Sequence, residues 1–418
     1  MTTFDISEQR EECFQHSASG SDEHPAVKRF REYLRIRTDH PSPDYAACTC
    51  FLKQWAADLG LQARSFELAA GKPIVLLTWE GTDPSLKSLL LNSHTDVVPV
   101  FPEHWSCPPF EAHKFRNGDI VARGSQDMKC VGAWYMEAIA NMKAQGKQPL
   151  RTIHILFVPD EEIGGVDGMK AFTTRFLDQF RELNVGFALD EGIANPEDAL
   201  KVFYGERLTW WVRVTANGTT GHGSQFIPGT ATRKLTNVLQ KFFKFRDEQE
   251  KLLHSSGAKL GDVTTVNLTM LNGGVQPNVV PQDASAVFDI RVTPRTNLNE
   301  FRKMIHDFCS SEEGVSYEFL QYSGNNQITQ LDGNPWWAAF QEVCRDLGVK
   351  TSPEIFPAAT DSRYIRALGI PALGVSYLKN MPVLLHCHNE YLNEHDYLEG
   401  VEFYTCLVDK LAGVREEF

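Results

Sequence analysis

Hydrophobic and polar positions change their period several times along the chain. Val27, Phe30, Leu34 and Ile36 fall on one helical face behind Pro25, which predicts a helix with proline in its first turn. Residues 43–59 predict a second helix, stopped by Gly60. Short apolar runs then alternate with helical patterns: strands over 73–79 and 88–92, a helix over 127–144, a strand over 151–158, a helix over 168–183 and a strand over 185–189. Strands joined by helices form right-handed crossovers, so this stretch predicts a parallel sheet covered by helices.

Near residue 204 the period shortens. Leu208, Trp210, Val212 and Val214 recur in steps of two, as in a half-solvated antiparallel strand. A helix over 231–253, strands over 263–271 and 284–292, a helix over 297–309 and a strand over 315–322 complete a β-α-β-β-α-β order, a ferredoxin-like two-layer module. From Pro335 the alternation resumes with a helix over 336–347, extended segments over 372–376 and 383–385, and a closing helix over 398–412. The predicted fold class is therefore α/β. A mostly parallel sheet covered by helices is formed discontinuously by residues 1–203 and 322–418, and residues 204–321 form an inserted domain.

Composition narrows the functional classes. The chain has 418 residues, 42% hydrophobic and 23% charged, which is ordinary for a soluble globular protein. A net charge of −13 repels a phosphate backbone or an anionic bilayer, so neither nucleic acid nor membrane is an expected partner. Apolar stretches are broken by polar residues well short of the ~20 needed to span a membrane. The first 25 residues are polar and acidic, unlike a secretory signal. Nine cysteines without tight spacing fit reduced thiols and a cytoplasmic location.

Ligands of open α/β sheets bind beyond the carboxyl ends of the strands. Three predicted strands run there into metal-ligand residue types: LLLNS into His94-Thr95-Asp96, IHILFVP into Asp160-Glu161-Glu162, and VGFAL into Asp190-Glu191. Asp127 opens the helix between the first two strands, at the same rim, where a helix N-terminus favours negative charge. Singly, such residues are common caps and turn formers. Together they crowd carboxylates that repel one another unless a cation holds them. Nitrogen and oxygen donors without a thiolate cluster suit zinc first, with cobalt or manganese as substitutes, and the charge count favours two ions. Asp96 is placed to accept the second N–H of the His94 imidazole. Adjacent residues at a strand exit point in different directions, so with Glu162 on a metal, Glu161 would face the activated water and move its proton to a leaving amine. Neither a G-x-S-x-G elbow nor an H-E-x-x-H helix occurs.

The motifs LLNSHTDVVP, ARGSQDMK, VPDEEIGG, ALDEG, TGHGS, GGVQPNVVP, TDSR and HCHNE, in this order over roughly residues 24–412, resemble the co-catalytic zinc aminoacylase, carboxypeptidase and dipeptidase family, its aminoacylases most of all. The resemblance implies two zinc ions per subunit, with His94 and Glu191 on one, Glu162 on the other, Asp127 bridging and His386 as the late ligand. His386 is preferred to His388 because its H-x-x-x-E spacing to Glu390 matches the family. The resemblance further implies that His222 reaches the active site of the opposite subunit, hence a homodimer through the inserted domain. It also offers Asn278, Arg291 and Arg363 as substrate contacts. A guanidinium fork matches an α-carboxylate, although an ordinary salt bridge is the alternative for each arginine. The expected activity is hydrolysis of N-acyl-L-amino acids such as N-acetyl-methionine. The alternatives are a dipeptidase or carboxypeptidase acting on small peptides, and a metal-binding scaffold without catalysis.

Overall fold

The computed structural model describes residues 23–255 and 257–415, so most of the polar leader lies outside the described residues. Two compact units divide the chain. One holds the described residues up to Phe203, Thr329–Pro353 and those from Thr360 onward; the other holds Tyr204–Ile328 and Glu354–Ala359. The second unit thus extends past the expected 204–321. Arg207 explains the addition: its N–H donates to the Phe356 carbonyl at 3.0 Å, and its Nε donates to the Pro357 carbonyl at 2.7 Å.

A sheet with strand order Gln62–Ala69, Lys72–Trp79, Ile153–Val158, Ser88–His94, Val185–Asp190, Ala372–Gly374, Leu200–Glu206, Thr351–Phe356 has all but the ends of its last two strands in the first unit. Its central junctions are parallel, with Leu90 in register with both His154 and Ala188, and Ala372 with Ala188. Ser88–His94 and Ile153–Val158 are buried at every position, as strands covered by helices on both faces must be. Gln62–Ala69 with Lys72–Trp79, Lys72–Trp79 with Ile153–Val158, and Ala372–Gly374 with Leu200–Glu206 pair antiparallel. Only Ala70 and Gly71 join Gln62–Ala69 to Lys72–Trp79, and so short a connection allows a hairpin but no parallel crossover.

Other elements differ from the sequence expectation. Gln62–Ala69, Leu200–Glu206 and Thr351–Phe356 are strands it did not anticipate. Residues 168–183 form two short helices, Met169–Thr174 and Leu177–Arg181, rather than one. Residues 383–385 are loop, and the pairing occurs later, where Tyr391–Asn393 joins Asp119–Val121 and His113–Lys114 in a small sheet. The helix expected from 127 begins at Lys129, leaving Asp127 in the loop ahead of it.

Lys129–Ala144 is buried along most of its length and packs on the C-terminal helix Glu394–Ala412. The approach is close at Gly400, where a Cβ would lie 2.4 Å from Trp134 Cε2, while Trp134 Nε1 donates to the Tyr397 carbonyl at 2.8 Å. Gly400→Ala is therefore expected to overpack this junction and cost about 1–3 kcal/mol. Urea unfolding of the variant checks this, and an unchanged midpoint would contradict the packing.

The second unit carries an antiparallel sheet in the order Thr265–Gly273, Asp283–Val292, Leu208–Asn217, Val315–Tyr322. Helices Ala231–Ser255 and Leu298–Ser310 cover one face. Leu208, Trp210, Val212 and Val214 point into that core with Leu235, Phe242 and Phe301, while Trp211 is exposed.

Candidate metal centre

His94 ends a buried strand and is itself buried. Its Nδ1 lies 2.8 Å from the backbone carbonyl of Asp96. A carbonyl only accepts, so Nδ1 carries the proton and the Nε2 lone pair faces outward. Nε2 then meets Asp127 Oδ1 at 3.1 Å and Glu191 Oε2 at 3.7 Å. His386, half exposed, repeats the arrangement, with Nε2 3.2 Å from Asp127 Oδ2 and 3.0 Å from Glu162 Oε2. One Asp127 oxygen thus faces each imidazole. Ligand atoms of His94, Asp127 and Glu162 lie within 4.8 Å of one another, as do those of His94, Glu161 and Glu191.

The charges in this space are unbalanced. Burial, reinforced by the neighbouring Glu191 carboxylate, pushes Glu161 well above the usual carboxylate range. Burial and the Asp127 charge push Glu162 up to about 7 and Glu191 well above its usual value. Against its own burial, Asp127 is held low by the His386 and His94 imidazoles beside it, and the Asp127 and Glu162 carboxylates lift His386 to about 10. Glu162 Oε1 is buried without a hydrogen-bond partner. Two imidazole Nε2 atoms facing carboxylate oxygens, with one oxygen left over, suit divalent cations bound by nitrogen and oxygen. The residues fit a metal centre.

Asp96 behaves differently from the expectation. Its backbone carbonyl, not its carboxylate, fixes the His94 tautomer; Oδ1 is 3.7 Å from Nδ1. The buried carboxylate instead accepts the N–H groups of Glu161 and Glu162, each at 3.1 Å. It also meets His40 Nε2 at 2.9 Å. Two acceptors on one residue are indistinguishable by spacing, which is why the sequence could not choose between them.

Further supports were missed altogether. Asp190 Oδ1 accepts from Asn92 Nδ2 at 3.1 Å and from the Glu191 N–H at 2.9 Å, and Oδ2 accepts from Ser362 Oγ at 2.8 Å, steadying the turn that delivers Glu191. Glu390 accepts from Arg123 Nη1 at 2.8 Å and from the N–H groups of Gly124, Gln126 and Asp127. It thereby holds the loop that carries Asp127. Asp361 is buried with no hydrogen-bond partner on either oxygen, and burial beside Asp190 raises its pKa to about 8. In IHILFVP-Asp160-Glu161-Glu162, Gly164 and Gly165 take φ of 98° and 65°, a left-handed turn that suits glycine.

Arg363 donates to the Gly164 carbonyl at 3.3 Å and stacks on Tyr364 with 4.6 Å to the ring centroid. Its charge lowers the Glu161 pKa, opposing burial. His222, Asn278 and Arg291 belong to the second unit. His222 is exposed, and its Nδ1 accepts the Ser224 N–H at 3.2 Å; it pairs with Val279 across a two-strand ladder, next to Asn278. The Arg291 fork is engaged by Asp289, at 2.7 and 3.0 Å, and Nη1 donates to Thr209 Oγ1 at 3.0 Å. For Arg291 the structure shows the ordinary salt bridge rather than an open carboxylate site.

Comparison with known proteins gives these observations a context. Aminoacylase-1 of Homo sapiens is 52% identical over 401 residues, covering 95% of this chain and 98% of the relative. Aminoacylase-1 of Dictyostelium discoideum is 46% identical over 406 residues, covering 94% and 98%. Among solved structures, a tripeptidase from Staphylococcus aureus matches with a TM-score of 0.70 at 18% identity, covering 93% of this chain and 98% of that one; so distant a likeness speaks for the fold alone. The sequence profile of peptidase family M20/M25/M40 matches residues 90–410, the span from the strand that ends in His94 to the closing helix. By that match and the near full-length identity to its relatives, the chain belongs to peptidase family M20/M25/M40.

Proposed function

We propose that the chain is a metal-dependent amidohydrolase that cleaves N-acyl-L-amino acids into a free L-amino acid and a carboxylate. The observation that carries this reading is the convergence of His94, Asp127, Glu162, Glu191 and His386 around one buried, charge-unbalanced space, in a chain so similar to aminoacylases. In this reading those five residues hold two divalent ions, zinc by ligand chemistry. When bound, such ions polarise a carbonyl and make water more acidic.

The chain's own residues do the rest. Glu161 sits in the same cluster as His94 and Glu191, and a carboxylate of raised basicity there takes a proton from water and returns it to the departing amine. Asp127 keeps the two halves of the site in register by facing both imidazoles. Arg363, beside Glu161 in charge and near the Gly164 turn, receives the substrate's α-carboxylate. His222, with Nδ1 occupied by Ser224, presents a donating Nε2–H suited to a developing oxyanion in the active site of the opposite subunit, with Asn278 beside it.

The second unit is the proposed homodimer surface. It exposes Phe226, Met270, Leu271 and Val275, the middle two on the edge strand Thr265–Gly273. Large exposed apolar side chains along an unpaired edge mark a surface for association. The described cysteines are all free thiols, which fits the reducing cytoplasm. No helix among the described residues is long and apolar enough to cross a membrane.

Turnover of N-acetyl-L-methionine against dipeptides at equal concentration tests the activity. Acetate release with kcat/KM at least about tenfold above any dipeptide, a gap of about 1.4 kcal/mol, is expected; preference for dipeptides would overturn the substrate assignment. Sedimentation of the same preparation should give twice the mass of one chain, and a monomer would remove the homodimer.

A further inference from the structure

We infer that His40 is a positioning residue for the Glu161–Glu162 pair, acting through the Asp96 carboxylate; the role rests on the hydrolytic reading above. The Asp96 carboxylate is buried and bears three donors. Oδ1 accepts the Glu161 N–H, and Oδ2 accepts the Glu162 N–H and meets His40 Nε2. A carboxylate accepts only, so His40 Nε2 donates. Both backbone amides that follow Asp160 therefore hang on one side chain, and the orientation of that side chain is set from behind by His40.

His40 is itself held on two sides. Its N–H donates to the Val97 carbonyl at 3.2 Å, and the Val97 N–H donates to the Thr38 carbonyl at 3.0 Å, which zips residues 38–40 onto the residue after Asp96. The preceding helix Pro25–Leu34 is anchored where Lys129 Nζ donates to the carbonyls of Tyr33 and Ile36 at 3.3 and 2.7 Å. This chain of contacts reaches the proposed metal ligands through Asp96, whose carboxylate accepts the Glu162 N–H and whose backbone carbonyl accepts the His94 Nδ1–H at 2.8 Å.

The group His40, Asp96 and Asp160 has the donor types and spacing of a cation site, yet protein groups already satisfy it. Lys72 Nζ is ion-paired with Asp160 Oδ2. Tyr45 Oη donates to Asp160 Oδ1 at 2.7 Å and accepts the Asp160 N–H at 3.0 Å. Asp160 takes a left-handed φ of 65°, which a non-glycine residue keeps only where its surroundings impose it. The cluster is thus a brace under the Asp160–Glu162 segment: Lys72 and Tyr45 hold its first residue, and His40 with Asp96 holds the next two. A displacement of ~1 Å in a reacting group costs on the order of 10²-fold in rate, so an indirect contact of this kind has a measurable effect.

The test compares His40→Leu, which deletes the donor, with His40→Gln, whose side-chain N–H lies the same number of bonds from the backbone. Amide hydrogen exchange at Glu161 and Glu162, read in metal-free and metal-loaded protein, should rise about tenfold in His40→Leu, with kcat on N-acetyl-L-methionine lower by about 10–100-fold and KM little changed. His40→Gln should restore both readouts to near the unaltered values. His40→Asn, polar but too short to reach Asp96, replaces the leucine variant if that one does not fold. Unchanged exchange at the two amides overturns the proposal, as does a rise shared by the whole sheet or a glutamine variant as impaired as the leucine one. Should the unaltered protein cleave no N-acyl amino acid, the functional reading fails, while the exchange comparison still decides the role of His40.

Discussion

Glu161→Gln is expected to lower kcat on N-acetyl-L-methionine by about 10²–10⁴-fold, the range for loss of a general acid–base, while KM and bound metal stay near their unaltered values. Glutamine keeps the size of the side chain and loses only its capacity to accept and return a proton. The backbone N–H of residue 161 still has the Asp96 carboxylate to bind, so the turn that presents Glu162 is retained. The variant also removes a negative charge from a crowded space, since the Glu191 carboxylate and burial both press on Glu161. Folding is therefore expected to be unharmed or improved. Steady-state kinetics with elemental analysis of the same sample checks this. Turnover within a few-fold of the unaltered enzyme would remove Glu161 from the chemistry, and loss of metal would make it a ligand instead.

Asp127→Asn carries the other large effect. Each carboxylate oxygen of Asp127 faces a different imidazole, His94 at 3.1 Å and His386 at 3.2 Å. An amide offers one oxygen, and its NH₂ replaces an anionic acceptor beside the second ligand set. Bound metal is expected to fall from two ions per chain to one or fewer, and kcat/KM by at least ~10³-fold, since the metal's polarisation of the substrate is worth several kcal/mol. The Asp127 N–H on Glu390 is untouched, so the loop itself stays in place. Elemental analysis after gel filtration against unaltered protein reads the metal directly. Full occupancy in the variant would deny Asp127 a bridging role.

Much of the candidate site was readable in the sequence because three largely apolar strands break into His, Glu or Asp at their carboxyl ends, where sheet geometry brings distant segments together. Ser88–His94 and Ile153–Val158 pair in parallel, so His94 and the Glu161–Glu162 turn arrive at one rim from sequence separations no local pattern could reveal. His386 is another matter. It lies in an irregular loop with a positive φ of 63°, carries no periodic signal, and was found through its resemblance to a motif alone. The extended segment expected over 383–385 fails for the same reason: three apolar residues resemble a strand whether or not a partner strand exists.

Gln62–Ala69 escaped notice because an edge strand can expose most of its residues, which erases the alternation that marks a half-buried one. His40 and Glu390 escaped because each is a single polar residue whose meaning depends on a partner far along the chain: Asp96 for one, Arg123 for the other. In the second unit the alternation at Leu208, Trp210, Val212 and Val214 held good since one face is packed and the other open. The added segment Glu354–Ala359 was invisible, because nothing in its composition distinguishes it from the residues on either side.

Anomalous X-ray scattering at the zinc edge, recorded from crystals of the metal-loaded protein, tests the central claim most directly. Two peaks are expected on either side of the Asp127 carboxylate, one in reach of His94 and Glu191 and the other in reach of Glu162 and His386. A single peak, or peaks away from these five side chains, would contradict the paired-cation account.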